Sequence, residues 1–181
     1  TVFMEGYFES EKYFISFEDK IKKQFIPKNF FKFENNEYFS KINGTESVCL
    51  CIRQNRFSEK KDKVTTVDKQ KSEQFVKEQV HYIKHAITYF KNKLNNPIFY
   101  LWSNNYNGLD EIFSSTDVIL INNHFIKDPI ERMLCDLFLM TNCKHYAVIP
   151  SAFNWWGCWL SKSNQSICLR PKNGYFSDLK I

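Results

Sequence analysis

Val76, Val80, Ile83, Ile87, Phe90 and Leu94, followed by Asn95-Asn96-Pro97 and then Ile98-Phe99-Tyr100-Leu101-Trp102, decide the fold class. The first six step by 4, 3, 4, 3 and 4, which puts them on one face of a long helix over 70–94. Asn95-Asn96-Pro97 ends it, and an unbroken apolar run of strand length follows. Upstream, Val48-Cys49-Leu50-Cys51-Ile52 has a β-branched residue at each end and reads as a buried strand. Downstream, Val118-Ile119-Leu120-Ile121, Tyr146-Ala147-Val148-Ile149 and Ile167-Cys168-Leu169 read as further strands. Between them, Asp128-Pro129 opens a helix with an N-cap acid and a proline at its first position. Its buried side is expected at Ile130, Met133, Leu134, Leu137 and Met140. One or two helical turns fit 108–113, and an aromatic-rich helix fits 151–160. This alternation defines an α/β chain: a Rossmann-like, mostly parallel sheet with helices on both faces.

The amino-terminal part is less regular. Residues 1–8 read as a strand running into a loop, without an initiator Met, as in a piece of a longer protein. Tyr13, Phe14, Phe17, Ile21 and Phe25 form a helical stripe that ends near Pro27. Residues 29–44 read as loop with a short helix, and 54–69 as a charged loop. The expected division is an amino-terminal segment, 1–46, joining to a missing half, and a ligand-binding domain, 47–181.

Composition narrows the function classes. Of 181 residues, 43% are hydrophobic and 25% charged, so a packed core is expected and global disorder is not. Gly and Pro number 5 each, which excludes collagen-like and low-complexity chains. Neither G-x-G-x-x-G nor G-x-x-x-x-G-K-[ST] is present, so a phosphate would have to be held by side chains and helix ends. The net charge of +5 is too mild and too scattered for a nucleic-acid binder, though it suits a small anion or an anionic membrane surface. Its short clusters at Lys20–Lys23 and Lys60–Lys63 read as solvated faces. None of the six Cys residues forms C-x-x-C, and all read as reduced, mostly buried thiols of a cytosolic protein. No apolar run approaches the length of a membrane span.

In open parallel sheets, ligands sit beyond the carboxyl ends of the strands. Here those ends carry Arg53, Ser103 with Asn104, and Ser151. A guanidinium at a strand tip offers a fixed fork of donors to a phosphate, or else pairs with a surface carboxylate. Ser151, opening a helix straight after a strand, either helps hold a phosphate or serves as an ordinary N-cap. Asp136 sits among Met133, Leu134, Cys135, Leu137 and Phe138, and burying an acid there without a partner is costly. Its carboxylate suits the N1–H and N2–H₂ edge of guanine; a rim position facing solvent or lysine is the alternative. His81 and His85, at i and i+4, have no third metal ligand in view and read as surface residues, while Trp155, Trp156 and Trp159 read as core.

Several segments together carry a family resemblance. Asp136-Leu137-Phe138-Leu139-Met140-Thr141-Asn142-Cys143-Lys144-His145, with Ser151-Ala152-Phe153-Asn154-Trp155-Trp156-Gly157-Cys158-Trp159-Leu160, resembles the second motif region of the family 11 glycosyltransferases, the α-1,2-fucosyltransferases. That pattern runs D-x-x-L-M-x-x-C-K-H, then N-S-S-F-S-W-W-G-A-W-L. Gly6-Tyr7-Phe8-Glu9-Ser10-Glu11-Lys12-Tyr13-Phe14 resembles the family's G-Y-[FW]-Q-S-E-K-Y-F segment. Ser103-Asn104 stands within its F-S-D-D position, and Arg170-Pro171-Lys172 resembles its A-P-K. The H-x-R-R-x-D motif reads Cys51-Ile52-Arg53-Gln54-Asn55-Arg56 here, so the first arginine is kept while Cys51, Gln54 and Arg56 replace three other positions. Pro150 and Ala152 replace the usual Asn and second Ser.

The resemblance implies the carboxyl-terminal, donor-binding half of a GT-B type inverting enzyme. Such an enzyme would move L-fucose from GDP-β-L-fucose to a galactoside 2-hydroxyl without a metal ion. Asp136 would read guanine; Arg53, with Arg56, Ser103, Asn104, Ser151, Ala152 and Phe153, would form the donor site. The general base is open, with Glu59, six residues beyond Arg53, as the candidate in this chain. The implied partners are a GDP-sugar and an oligosaccharide acceptor, in a cytoplasmic setting compatible with peripheral contact at the inner membrane face. A lone half is expected to bind nucleotide weakly and to transfer nothing. Two other readings stand beside it: a degenerate or non-catalytic GDP-sugar-binding module, and a flavodoxin-like interaction domain without GDP affinity.

Overall fold

The computed structural model describes residues 11–25, 30–59, 61–161 and 163–171. The expected strand at 1–8, residues 6–10 of the tyrosine-rich segment, the stop at Pro27, Lys60 and Lys172 lie outside those residues. After short 3-10 turns at Glu11–Tyr13 and Ile15–Phe17, the chain forms α1 (Glu18–Gln24), a 3-10 segment (Phe30–Asn35) and α2 (Glu37–Gly44). It continues through β1 (Glu46–Ile52), α3 (Thr66–Lys93), β2 (Pro97–Ser103), α4 (Leu109–Ile112) and β3 (Val118–Leu120). Then come α5 (Pro129–Thr141), β4 (His145–Ala147), α6 (Ala152–Trp159) and β5 (Cys168–Leu169).

The strands form one five-stranded sheet in the order β3-β2-β1-β4-β5, with every pair parallel. This is a Rossmann-like α/β fold. From β1 the chain moves outward through β2 and β3, then returns to the opposite side of β1 for β4. The reversal opens a crevice above the carboxyl ends of β1 and β4. β1 is the central strand, and Ser47 through Ile52 are all buried, as its unbroken apolar sequence requires.

Because side chains alternate across a strand, the two faces of β1 differ. Val48 pairs in register with His145, and Phe90 of α3 lies 6.0 Å from the His145 ring, so α3 covers that face. Cys49 and Cys51 point to the opposite face, where Asn154 of α6 reaches Cys49 and where α5 packs against α6. Right-handed crossovers in opposite directions require this two-faced arrangement. Gly157 is the contact point between α5 and α6. A Cβ placed there would lie 3.1 Å from Met140 Cβ, a contact tight enough that Met140 would have to give by a few tenths of an ångström, so glycine suits the observed approach.

Three expectations need correction. The stripe from Tyr13 to Phe25 is not one helix: two 3-10 turns precede the short α1, and Tyr13 and Phe17 are exposed. Phe14 and Phe25 instead each stack on Trp156, at centroid distances of 5.6 and 4.6 Å, so aromatic contact rather than helical period sets their spacing. On α5, Ile130 and Met133 are exposed, whereas Cys135, Phe138 and Leu139 are buried. The helix enters the molecule obliquely, with its amino-terminal turns at the rim and its carboxyl-terminal turns in the core, so no single stripe describes it. Finally, α3 begins at Thr66, inside the expected loop, because Thr65 and Asp68 form a capping box. The thiol reading holds: all six cysteines are free, and all but the half-buried Cys168 are buried.

Candidate donor-binding site

A cavity of about 290 Å³ lies at the crevice between β1 and β4. Ile52 and Arg53 enter it from the end of β1, Trp102, Ser103 and Asn104 from the end of β2 and the residue beyond it, and Ser151, Phe153 and Asn154 from the start of α6. Its remaining wall is one face of α5, where Pro129, Arg132, Met133, Asp136 and Met140 recur at helical spacing. Glu59 closes the side beyond Arg53. Of the expected residues, Arg53, Glu59, Ser103, Asn104, Asp136, Ser151 and Phe153 therefore meet here. Arg56 does not: its guanidinium lies 5.7 Å from the Phe75 ring of α3. Ala152 is exposed at the first position of α6 and is not part of the lining.

Arg53 is held by its backbone. Its N–H donates to Gln79 Oε1 and its carbonyl accepts from Gln79 Nε2, both at 2.9 Å. Gln79, buried on α3, thus takes the place of a neighbouring strand at the point where the ladder ends. Asn104 does the same one residue later. Its Oδ1 accepts from Gln54 N–H at 2.7 Å and its Nδ2 donates to the Gln54 carbonyl at 3.0 Å. Such amide clamps satisfy backbone groups that would otherwise be orphaned, and they fix the direction in which Arg53 leaves the sheet. The guanidinium forms an ion pair with Glu59, whose loop reverses through Asn55 at φ 57°.

Asp136 faces the cavity from α5 and is mostly buried. Its Oδ1 accepts from Asn123 Nδ2 at 2.7 Å, and Asn123 Oδ1 in turn accepts from Asn36 Nδ2 at 3.0 Å. Asn36 also caps α2, accepting from Tyr38 N–H at 2.9 Å. A chain of amides thus anchors the carboxylate to the amino-terminal segment. Burial pushes the Asp136 carboxyl above its usual value, while the Asn123 amide and the charge of Arg132 pull it down without overcoming that cost. Trp102 Nε1 is buried with no hydrogen-bond partner among the described residues.

Ser151 stands at the N-cap of α6, but its side chain makes no capping hydrogen bond. Asn154 instead turns back to accept from Ile149 N–H at 2.8 Å and shapes the loop between β4 and α6. Ser151 and the start of α6 sit at the cavity wall, and a helix start is a setting that favours negative charge. Trp155 and Trp159 are core residues, as expected, and the exposed His81 and His85 rings lie 4.3 Å apart with no metal-binding group gathered around them among the described residues. Among the described residues no helix is long and apolar enough to cross a membrane.

Sequence reasoning missed Gln79, Asn123 and Arg132. Arg132 had a signal, since it precedes Asp136 by one helical turn on the same face. Gln79 and Asn123 had none: each is an ordinary amide until the fold buries it against a backbone group or a carboxylate.

A Rossmann-like sheet with a basic strand tip, a half-buried acid and a helix start in one crevice has the layout of a ligand site at the strand-order reversal of an α/β protein. The chain belongs to glycosyl transferase family 11, whose model matches residues 1–180. It is 29% identical over 170 residues to an alpha-1,2-colitosyltransferase of Escherichia coli, covering 92% of this chain and 53% of the relative. It is also 24% identical over 100 residues to the O-antigen biosynthesis glycosyltransferase WbnK of Escherichia coli, covering 55% of this chain and 32% of that protein. The chain thus spans about half the length, or less, of these curated relatives. No solved structure matches it.

Proposed function

We propose that the chain supplies the donor-binding half of an inverting glycosyltransferase that moves L-fucose from GDP-β-L-fucose to a galactoside hydroxyl, in α-1,2 linkage, during surface glycan synthesis. Family membership supports glycosyl transfer, and the names of both relatives point the same way. The alpha-1,2-colitosyltransferase supports the linkage and makes a colitosyl donor the rival to a fucosyl one. One observation carries the reading: Arg53 and Asp136, from distant parts of the sequence, line the same cavity at the strand-order reversal.

In this reading Asp136 accepts hydrogen bonds from the guanine edge. The diphosphate lies between Arg53 and the start of α6, beside Ser103 and Ser151. The acceptor hydroxyl attacks the anomeric carbon, the bond from that carbon to the phosphate oxygen breaks, and GDP leaves. Negative charge grows on the diphosphate as this happens, and Arg53 meets it where it forms. Guanidinium and helix-end N–H groups play the part a metal ion plays elsewhere. The acceptor's proton passes to a base, for which Glu59 is the carboxylate at hand. Because Glu59 now pairs with Arg53, the incoming diphosphate would take its place on the guanidinium and release the carboxylate. The Cys51 side chain beside the guanine position, where the family pattern has histidine, favours the rival reading of a non-catalytic GDP-sugar module.

Calorimetric titration with GDP tests the proposal. The protein should bind GDP, and Arg53→Ala should weaken binding by about tenfold or more with an unchanged melting temperature. A protein that shows no GDP affinity would overturn the donor reading. Binding without transfer when the complete enzyme is assayed with GDP-fucose, GDP-colitose and a galactoside would favour the module.

A further inference from the structure

The cavity is lined by two cations, Arg53 and Arg132, and two carboxylates, Glu59 and Asp136. Their partners differ. Arg53 is already neutralised by Glu59. Arg132 Nη1 lies 3.0 Å from Nδ1 of His124, and among the described residues no carboxylate reaches ion-pair distance from it. A ring nitrogen within bonding distance of a guanidinium serves as an acceptor, so His124 orients Arg132 without cancelling its charge. Arg132 is therefore the cavity's cation without an ion-paired carboxylate, its charge acting only at longer range on Asp136. Without it, the lining would carry one more carboxylate than cation, a poor environment for a diphosphate.

We infer that Arg132 is a second anion anchor of this cavity, holding the diphosphate from the α5 wall while Arg53 holds it from the β1 tip. The inference rests on the donor reading above and adds a residue to it. Position agrees with charge. Arg132 precedes Asp136 by four residues on the cavity face of α5, about 6 Å along the helix axis and nearer the rim. A nucleotide whose base meets Asp136 extends its phosphates away from that acid, within reach of a long side chain one turn nearer the opening. Because Arg132 has no paired carboxylate to release, it would meet the diphosphate before Glu59 has left Arg53.

GDP, guanosine and inorganic pyrophosphate should be titrated into the wild-type protein, Arg132→Gln and Arg132→Lys, with the melting temperature of each recorded. Arg132→Gln should weaken GDP by about tenfold and leave guanosine unchanged, and Arg132→Lys should recover part of the loss because it restores the charge without the fork. Equal losses for GDP and guanosine would overturn the inference, assigning Arg132 to the base or to the frame of the site. Unchanged GDP affinity in Arg132→Gln would overturn it too. If the wild-type protein binds neither GDP nor guanosine, the donor reading fails, and pyrophosphate decides alone. Pyrophosphate binding that is lost in Arg132→Gln and partly kept in Arg132→Lys retains Arg132 as an anion anchor; any other pyrophosphate result removes it.

Discussion

Asp136 costs the fold stability at the point where the proposed site would use its charge. Its carboxyl is raised by burial, so the fold favours the neutral form. For an acid with a raised folded-state value, the stabilising contribution is complete at low pH and is lost as pH rises through that value. At neutral pH the charged group therefore costs stability. Asp136→Asn keeps an acceptor for Asn123 and removes the charge, so its melting temperature should exceed that of the wild-type protein near pH 7, with the gap closing in acid. The same variant should lose GDP affinity, because an amide oxygen and NH₂ cannot both accept from guanine. A lower melting temperature at pH 7 would contradict this account. The sequence had marked Asp136 as an anomaly; the amide chain through Asn123 and Asn36 that makes the anomaly tolerable was invisible there.

At the scale of elements, the α5–α6 contact sets the cavity wall. Gly157 lets α6 approach Met140, which lines the cavity from α5. Gly157→Val should push the two helices apart and destabilise the protein by about 1–3 kcal/mol, read by chemical denaturation. The cysteine-rich strand, the long helix and the α5 start were legible because each rests on a local rule: apolar run, helical period, proline after an N-cap acid. The first turn of α3 was misread as loop because its charged composition hid the Thr65–Asp68 capping box, which is also a local rule. The exposed apolar turns of α5 are a different matter. Whether Ile130 and Met133 face core or solvent depends on the tilt of the helix against the sheet, and no local pattern encodes that tilt.

Across the molecule, strands β1, β4 and the approach to β5 are tied by a polar relay. Glu46 at the start of β1 accepts from His145 Nε2 at 2.7 Å and from Lys144 Nζ at 3.2 Å. His145 Nδ1 accepts from the Ile167 N–H at 3.1 Å. The His145 and Lys144 contacts hold the Glu46 carboxyl below its ordinary value of 4.5, against a smaller opposing effect of burial. A depressed carboxyl contributes stability above its unfolded value and loses it as pH falls through the folded one. The melting-temperature gap between wild-type protein and Glu46→Gln should therefore be full near neutral pH and shrink below about 4.5. A gap that stays constant into acid would remove the relay from the stability of the sheet. This tie lies at the opposite end of the strands from the cavity, so the variant should leave GDP affinity unchanged.

By itself the sequence determined the α/β class, the place of the five described strands, the buried thiols and the strand ends that line the cavity, because short-range chemistry governs all of these. Its motif segments also led to the family that the comparisons establish. Only the tertiary structure decided that β1 is central with β4 returning beside it, that Arg53 and Asp136 share one cavity, and that Arg56 lies away from it. It alone revealed Gln79 and Asn123 as clamps and Arg132 as the cation without a carboxylate partner. The reason is physical: strand order and helix tilt come from burying all apolar faces at once, and a side chain's partners are fixed only when that burial is complete.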